Sequence, residues 1–426
     1  MKKVVLIAGC RIPFLKAGTD YQGLMSYELG KMAISGLLRQ TDLSPAAVEA
    51  VVMGTVVHQL KTSNVARESA LAAGIAYTAP CHTVSMACIS ANRAIADAAD
   101  QIALGHARIV IAGGTDSVSD IPISFPAAMR RKLFDAQKMR GAADYMRFAT
   151  RLRPSDFKPE VPTISEFTTG RTMGQDCDRL ADRIGVSRQE QDLYALRSHQ
   201  LAAMAQREGW LAAEICAAEF APHFMPVLHD NGIRGDSSIE KMNHLPPAFS
   251  RPNGTITAAN ASFLTDGAAV VLLMEEQTAL ALGYKPQAYI RHYTFTAQNP
   301  DDELLLGPTY ATARLLDQTQ LNLSDIQVLE FHEAFAAQVL ANIKCLESDQ
   351  FGREKLQRSG KVGMIDMDTL NLWGGSLSIG HPFGATGARL LTTAASRLVR
   401  EKAQFALVAS CAAGALGHAM LLENYG

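Results

Sequence analysis

A thiolate, an imidazole and a second thiol are the groups in this chain whose types could work together on a carbonyl. Cys88 sits in Ser85-Met86-Ala87-Cys88-Ile89-Ser90-Ala91-Asn92, a small-residue stretch leading into an expected helix, His381 lies in Gly380-His381-Pro382, and Cys411 lies in Ser410-Cys411-Ala412-Ala413-Gly414. Cysteine attacks as its thiolate, and the unpaired amides and dipole of a helix N-terminus favour that anion, so Cys88 is placed as a nucleophile. His381 has the chemistry of a general base. Cys411 follows the apolar run 405–409, which puts it at the C-terminal end of a strand, where α/β enzymes carry reactive groups. Taken singly, each has a plainer reading: an inert buried thiol, a loop-capping ring, a structural cysteine. Taken together they point to acyl transfer.

Two further stretches belong beside them. His332, in Glu330-Phe331-His332-Glu333-Ala334-Phe335-Ala336, follows an expected strand and opens a helix, so it is either a helix-start polar residue or a donor aimed into a pocket. Glu333 reads as a first-turn acid. The stretch 371–387 is rich in glycine at irregular spacing, which lets backbone approach a ligand closely. It lacks the lysine and spacing of a Walker A loop, and no GxGxxG follows a strand, so nucleotide hydrolysis and dinucleotide binding find little support.

The elements that must hold these residues are written twice. At an offset of 278 residues Leu37, Leu38, Gln40, Thr41 and Leu43 meet Leu315, Leu316, Gln318, Thr319 and Leu321. Each copy reads as an amphipathic helix, a turn and a short apolar strand: 29–40 then 48–52, and 310–318 then 326–329. A second match needs a larger offset, laying Ile111-Ala112-Gly113-Gly114 over Val408-Ala409-Ser410-Cys411 and the Cys88 segment over 383–387. Pseudo-symmetric packing of the halves would bring Cys88 and the His381 loop together at the interface between them. Alternating strands and helices predict α/β layers. Residues 118–250 do not repeat; they carry Pro122, Pro126, Pro154, Pro159 and Pro162 ahead of a strongly helical stretch 188–207, and read as an inserted loop domain. The halves are then 1–117 with 251–280, and 281–426.

Composition narrows the class. A chain of 426 residues with 48% hydrophobic content has material for more than one core. Lys and Arg number 40 against 42 Asp and Glu, a balance that gives no argument for nucleic-acid binding. Seven cysteines without CxxC pairs argue against a zinc knuckle or a disulfide framework and fit a reducing cytoplasm. The apolar run 4–9 ends at Arg11-Ile12-Pro13, too soon for a signal peptide or a membrane span, and reads as the first buried strand. One patch is locally basic: Arg130, Arg131, Lys132, Lys138, Arg140, Arg147, Arg151, Arg153 and Lys158 stand against Asp135, Asp144 and Asp156. A solvated surface, a phosphate-bearing ligand, an acidic partner or an anionic membrane would each suit it.

The Cys88 box, 254–269, His332-Glu333-Ala334-Phe335-Ala336, the Gly380-His381-Pro382 run and Cys411 to Gly414, in this order, resemble the thiolase family over essentially the whole chain. The His332 box, where many members have asparagine, and the basic insertion are similar to the 3-ketoacyl-CoA thiolases that serve as β-subunits of fatty-acid-oxidation complexes. The resemblance implies a duplicated thiolase fold in αβαβα layers. It implies that Cys88 takes the acyl group of a 3-ketoacyl-CoA, that His381 activates thiols and polarises a carbonyl oxygen, and that Cys411 moves the proton at the α-carbon. His332 would position or replace the water of one oxyanion site, the backbone N–H groups of Cys88 and Ala413 would form the other, Ser262 would touch the pantetheine side of the ligand, and Gly380 would lie beside it. Coenzyme A enters as co-substrate, with no resident cofactor and no metal. The implied partners are acyl-CoA substrates, a second copy in a homodimer or homotetramer, and an enoyl-CoA hydratase/3-hydroxyacyl-CoA dehydrogenase subunit, with peripheral membrane contact. Ile89-Ser90-Ala91 and Ala412 to Gly417 depart from the commoner family pattern, which leaves acyl-chain preference open. Two alternatives stand beside this reading: a biosynthetic acetyl-CoA acetyltransferase running the same residues in the condensing direction, and a non-catalytic docking subunit.

Overall fold

The computed structural model describes residues 1–222 and 224–426. Strand β1 (Val4–Arg11) is buried along its whole length, which is why its sequence is a continuous apolar run and not an alternating one. It pairs antiparallel with β6 (Thr265–Glu275), and β6 pairs antiparallel with β5 (Ile109–Asp116). Next come β3 (Ala50–Gly54), parallel to β5, and β4 (Cys81–Val84), parallel to β3 at the edge. A two-residue strand, β2 (Leu15–Lys16), pairs with β6 off this path.

The second half repeats the plan. Strand β7 (Ala288–Ala297) pairs antiparallel with β10 (Leu416–Asn424), β10 antiparallel with β9 (Phe405–Ala412), and β9 parallel with β8 (Val328–Phe331). A single parallel bridge from Leu329 to Leu370 stands where β4 stands in the first half. The half-sheets meet where Val5 and Leu6 of β1 face Tyr289 and Ala288 of β7.

The offset of 278 holds in space, since Ala50 and Val328 open equivalent strands. The second offset needs correction by one residue. Ala50 pairs with Val110 and Val328 with Ala406, so Ile111 is equivalent to Leu407, not to Val408. The pleat shows what the slip would do: Val110, Ala112, Ala406 and Val408 share the inner core, whereas Ile111 and Leu407 face outward into separate clusters. A one-residue shift would exchange those faces. Glycine and alanine in both strands hid the register.

Between the inner faces lie two central helices, Ser90–Ala103 and Thr386–Glu401. Their Ala91, Ala94, Ala98, Ala388, Ala394 and Ala395 are buried against both half-sheets. Small side chains there let helices and sheets approach closely. The helices Ser26–Thr41 and Val65–Ala72 cover the outer face of the first half, and Gly307–Thr319 and Ala336–Leu346 that of the second. This is the expected αβαβα layering, and each central helix delivers a loop to the same interface.

The segment 118–250 divides in its packing. The helices Ala127–Ala136 and Ala142–Arg151 are almost wholly exposed, with Met129 the one buried residue in the pair. Further on, Met173–Ile184 and Arg188–Arg207 start sharply at the capping boxes Thr172/Gln175 and Ser187/Glu190. They share the second half's core: Cys177 and Leu180 pack with Leu305 and Ala341, Tyr194 and Ala195 with Leu315 and Leu377. Only the earlier part of the expected inserted domain stands apart from the layers.

Candidate active site

Cys88 stands on a turn, not in the helix. The helix begins at Ser90, and Ala87 takes a left-handed φ of 47°, strained for a residue with a side chain. Ser90 holds that turn: its Oγ accepts the Met86 N–H at 2.8 Å and donates to the Ala87 carbonyl at 2.7 Å. Gly54, ending β3, makes room for it, because a Cβ there would come within 2.5 Å of the Ser90 carbonyl carbon. The amides of Ala413 and of Cys88 itself lie close to the half-buried Cys88 sulfur and favour its charged form. Burial still dominates and pushes the thiol up to about 12, with the Asp116 carboxylate adding to the rise against those two amides. The helix-terminus argument for a resting thiolate is therefore overturned. Desolvation outweighs the amides, and Cys88 rests as a thiol.

His381 reaches the same point from the second half. Gly380, at φ 115°, turns the chain in a region closed to other residues, and a Cβ there would lie 2.8 Å from Thr265. Thr265 Oγ1 accepts the His381 backbone N–H at 3.1 Å. The ring is fixed by Thr386, whose Oγ1 lies 2.6 Å from Nδ1 and donates its own proton to the Pro382 carbonyl at 3.1 Å. That hydroxyl must then accept from Nδ1–H, which leaves the lone pair on Nε2. Burial, with Arg389 adding repulsion, lowers the ring to about 3, so His381 is neutral and able to receive a proton.

His332 follows β8, with its ring centroid 4.2 Å from that of His381. Reactive atoms of Cys88, His332 and His381 all lie within 4.8 Å of one another. Both Nε2 atoms are buried and have no hydrogen-bond partner among the described residues. The trio is built for proton transfer and for holding an oxygen.

Cys411 is the penultimate residue of β9, buried among Cys177, Ile256, Ala334, Phe335 and Ala415. Burial raises its thiol, and negative charge forming on Cys88, close by, would raise it further. Gly414, at φ 80°, turns the chain after it, and its N–H donates to Glu166 Oε2 at 2.7 Å. Ser262 lies beside the His332 segment, its N–H donating to the Ala334 carbonyl at 2.9 Å. The structure thus gathers Cys88, His332, His381 and the Ala413 amide at one point, puts Cys411 next to Cys88, and sets Gly380 and Ser262 on the adjoining backbone.

A cavity of about 430 Å³ opens onto Cys88 and Ala413, walled by Val56, Val57, Val118, Ile121, Ile164, Met173 and Phe383 among others. A larger hollow of about 640 Å³, between Arg179 and Arg251, holds none of the reactive side chains. The smaller one is the candidate binding site, being apolar and ending on the nucleophile.

Residues without evident chemistry in the sequence build this place. Asp116, at the end of β5 and fully buried, accepts from Thr55 Oγ1 (2.9 Å), the Val56 and Val57 amides (2.9 and 2.8 Å) and the Gly384 amide (2.5 Å). It ties the cavity wall to the loop carrying His381. Glu333 is no first-turn acid, since the helix begins at Ala336. Its carboxylate is buried and accepts from Tyr194, Ser198 and Asn371 at 2.8–3.0 Å, clamping the glycine-rich stretch. The one signal for Asp116 was an acid at a strand's C-terminal end.

The sequence matches the thiolase N-terminal domain over residues 4–277 and the thiolase C-terminal domain over 284–424. It is 49% identical to the mitochondrial trifunctional enzyme subunit beta of Rattus norvegicus, over 100% of this chain and 89% of the relative. It is 43% identical to the 3-ketoacyl-CoA thiolase of Yersinia pestis, over 99% and 97%. A crystal structure of the Bacillus anthracis acetyl-CoA acetyltransferase superposes with a TM-score of 0.84 at 29% identity, covering 100% of this chain and 99% of that one. With both domains matched in order along nearly its whole length, the chain belongs to the thiolase family.

Proposed function

We propose that this chain is a 3-ketoacyl-CoA thiolase of fatty-acid β-oxidation, an acyltransferase that cleaves 3-ketoacyl-CoA with coenzyme A. The observation that carries the reading is the Cys88 sulfur at the end of an apolar cavity, within reach of a neutral His381 and two backbone N–H groups. Because the thiol sits near 12 and the imidazole near 3, an ion pair at rest is strongly disfavoured. Proton transfer from Cys88 to His381 must coincide with attack on the C3 carbonyl, when charge passes to the substrate oxygen. The C2–C3 bond then breaks, its electron pair goes to C2, and the Cys411 thiol protonates C2 to give acetyl-CoA. The acyl thioester on Cys88 is taken by the thiol of a second coenzyme A, whose proton returns the enzyme to its starting state. Amides aimed at the sulfur stabilise charge as it develops.

The naming of relatives as 3-ketoacyl-CoA thiolase and as trifunctional enzyme subunit beta supports the degradative direction. The likeness to an acetyl-CoA acetyltransferase favours a second reading, the condensing direction on the same residues. An apolar cavity of about 430 Å³ suits a longer chain than acetyl. Thiolysis measured across 3-ketoacyl-CoA lengths, acetoacetyl-CoA included, decides: activity rising with chain length supports the first reading, and activity confined to acetoacetyl-CoA defeats it.

For partners we infer a homodimer or homotetramer, in which the exposed edge β4, half-buried along its length, is a natural seam, and a complex with an enoyl-CoA hydratase/3-hydroxyacyl-CoA dehydrogenase subunit. Seven free cysteines support a reducing cytoplasm. No helix among the described residues is long and apolar enough to cross a membrane. The exposed hairpin 127–151 shows Phe134, Tyr145 and Met146 beside Arg131, Arg140 and Arg147, which supports peripheral contact with an anionic membrane. Lys132 is not free for it, being bound to Asp156 at 2.5 Å. Reversing the three arginines to Glu should reduce pelleting with anionic vesicles at low salt; unchanged pelleting would make the hairpin an ordinary solvated surface.

A further inference from the structure

The two nitrogens of His332 face different surroundings. Nδ1 lies 3.1 Å from Ser376 Oγ, while Nε2 is buried without a partner among the described residues. Ser376 Oγ is also met by Arg389 Nη2 at 3.2 Å. A guanidinium only donates, so that contact occupies a lone pair on the serine oxygen. Ser376, Arg389 and His332 are all fully buried. If Nδ1 carried a proton and donated as well, the serine hydroxyl proton would be left without an acceptor among the described residues, an arrangement that costs about 1–3 kcal/mol when buried. If Nδ1 accepts, the serine hydroxyl is used both as donor and as acceptor, and the neutral ring carries its proton on Nε2, whose unpartnered N–H is left for a ligand oxygen.

The arginine is itself held in place. Glu330 Oε2 lies 3.9 Å from Arg389 Nη1, and Glu330 also bonds Arg397 Nη1 at 2.8 Å. His381, one ring away, has the opposite arrangement, because Thr386 accepts from its Nδ1–H. The paired rings therefore offer one N–H and one lone pair to the space beside Cys88.

We propose that Ser376, held by Arg389, is a positioning residue that fixes His332 as a neutral N–H donor through Nε2, so that His332 binds a carbonyl oxygen directly and, of the two histidines, only His381 moves a proton. The catalytic consequence rests on the thiolase reading above; the tautomer does not. A serine set by an arginine thus decides which of two neighbouring histidines does which work, as the partner of one ring nitrogen decides the state of the other.

The test uses the full chain labelled with ¹⁵N-histidine. Long-range ¹H–¹⁵N correlation distinguishes the tautomers, and the His332 signals are assigned by their loss in His332→Asn. His332 should show protonated Nε2 and His381 protonated Nδ1. In Ser376→Ala the His332 signals should move toward a tautomer mixture and kcat for thiolysis should fall about tenfold, with KM within about twofold, and Ser376→Thr should restore most of it. Protonated Nδ1 on His332 in the unaltered protein overturns the proposal, and that measurement needs no variant to fold. A loss of activity in Ser376→Ala with unmoved His332 signals also overturns it, making Ser376 a packing residue. The assigned tautomers in a protein without thiolase activity would sink the functional reading and leave the positioning role standing.

Discussion

The two halves share one plan, and at equivalent positions one supplies space where the other supplies chemistry. Gly54 ends β3 in the first half; its counterpart after β8 is His332. The glycine admits the turn that carries Cys88, and the histidine points into the same space. Thr115 of β5 corresponds to Cys411 of β9: the threonine donates to the Ser26 carbonyl at 2.8 Å, while the cysteine faces Cys88. Cys88, before the first central helix, corresponds to Gly384, before the second, where a Cβ would crowd Asp116 and the Gly54 carbonyl at 2.9 Å. Duplication thus provides two matched sets of strand ends facing one interface. A single site needs one set of reactive groups and the room for them.

The comparison breaks most plainly if the reactive side is not confined to these positions. Cys88→Ala should lower thiolysis by about 10⁴-fold or more, since no other thiol has both facing amides and the His381 lone pair. Mass spectrometry should find the acyl adduct on Cys88; an adduct on Cys411 with Cys88 unmodified would sink the assignment. His381→Ala should cost about 10²–10⁴-fold, the range for a lost acid–base group.

Cys411→Ala should divide the reaction in two. Cleavage should fall by about 10²–10⁴-fold, because C2 loses its proton donor, while loading of Cys88 from an acyl-CoA persists. Equal loss of both in a folded variant would mean that Cys411, like Thr115 opposite it, is a structural residue.

The halves also differ in charge state. His332, His381 and His418 are buried in the second half, where burial lowers all three, His381 and His418 to about 3, while the first half's His58 and His82 are exposed. Groups whose folded pKa lies below the unfolded value near 6.5 bind fewer protons folded than unfolded. Stability is therefore full above about pH 6.5 and falls as pH drops below it, until the folded His381 and His418 rings protonate near 3. From pH 7 to 5.5 each ring should cost roughly 1 kcal/mol. Hydrogen exchange at pH 5.5 should show the strands β8–β10 losing protection before β3–β5. Uniform loss would show that the halves open as one body.

Much of this site was legible because its chemistry is local in sequence. Cys88, His381, Cys411 and His332 each lie at a strand or helix end marked by small residues, and the repeat told which ends converge. What was not legible is long-range. Asp116 binds the Gly384 amide across 268 residues, and nothing about an acid after Gly113-Gly114-Thr115 announces that partner. The resting state of Cys88 has the same cause: helix proximity is visible in sequence, whereas the burial that outweighs it arises only when segments distant in sequence pack around the sulfur. The strand offset failed by one residue where glycine and alanine erase the pattern that fixes a pleat.

The smallest effect is the most discriminating. His332→Asn replaces an imidazole N–H with an amide on a shorter side chain, which can hold a water in the vacated space and pass on a hydrogen bond to the carbonyl oxygen. The expected loss in kcat is about tenfold, near 1.4 kcal/mol, with KM little changed, because the interaction strengthens only as charge reaches the oxygen. Neither limb of the pH–rate profile should move, since a neutral donor does not titrate in this range. A loss of about 10³-fold, or a shifted limb, would mean that His332 carries a proton in the reaction. It would then share acid–base work with His381, and the paired rings would be two proton carriers instead of one carrier and one fixed donor.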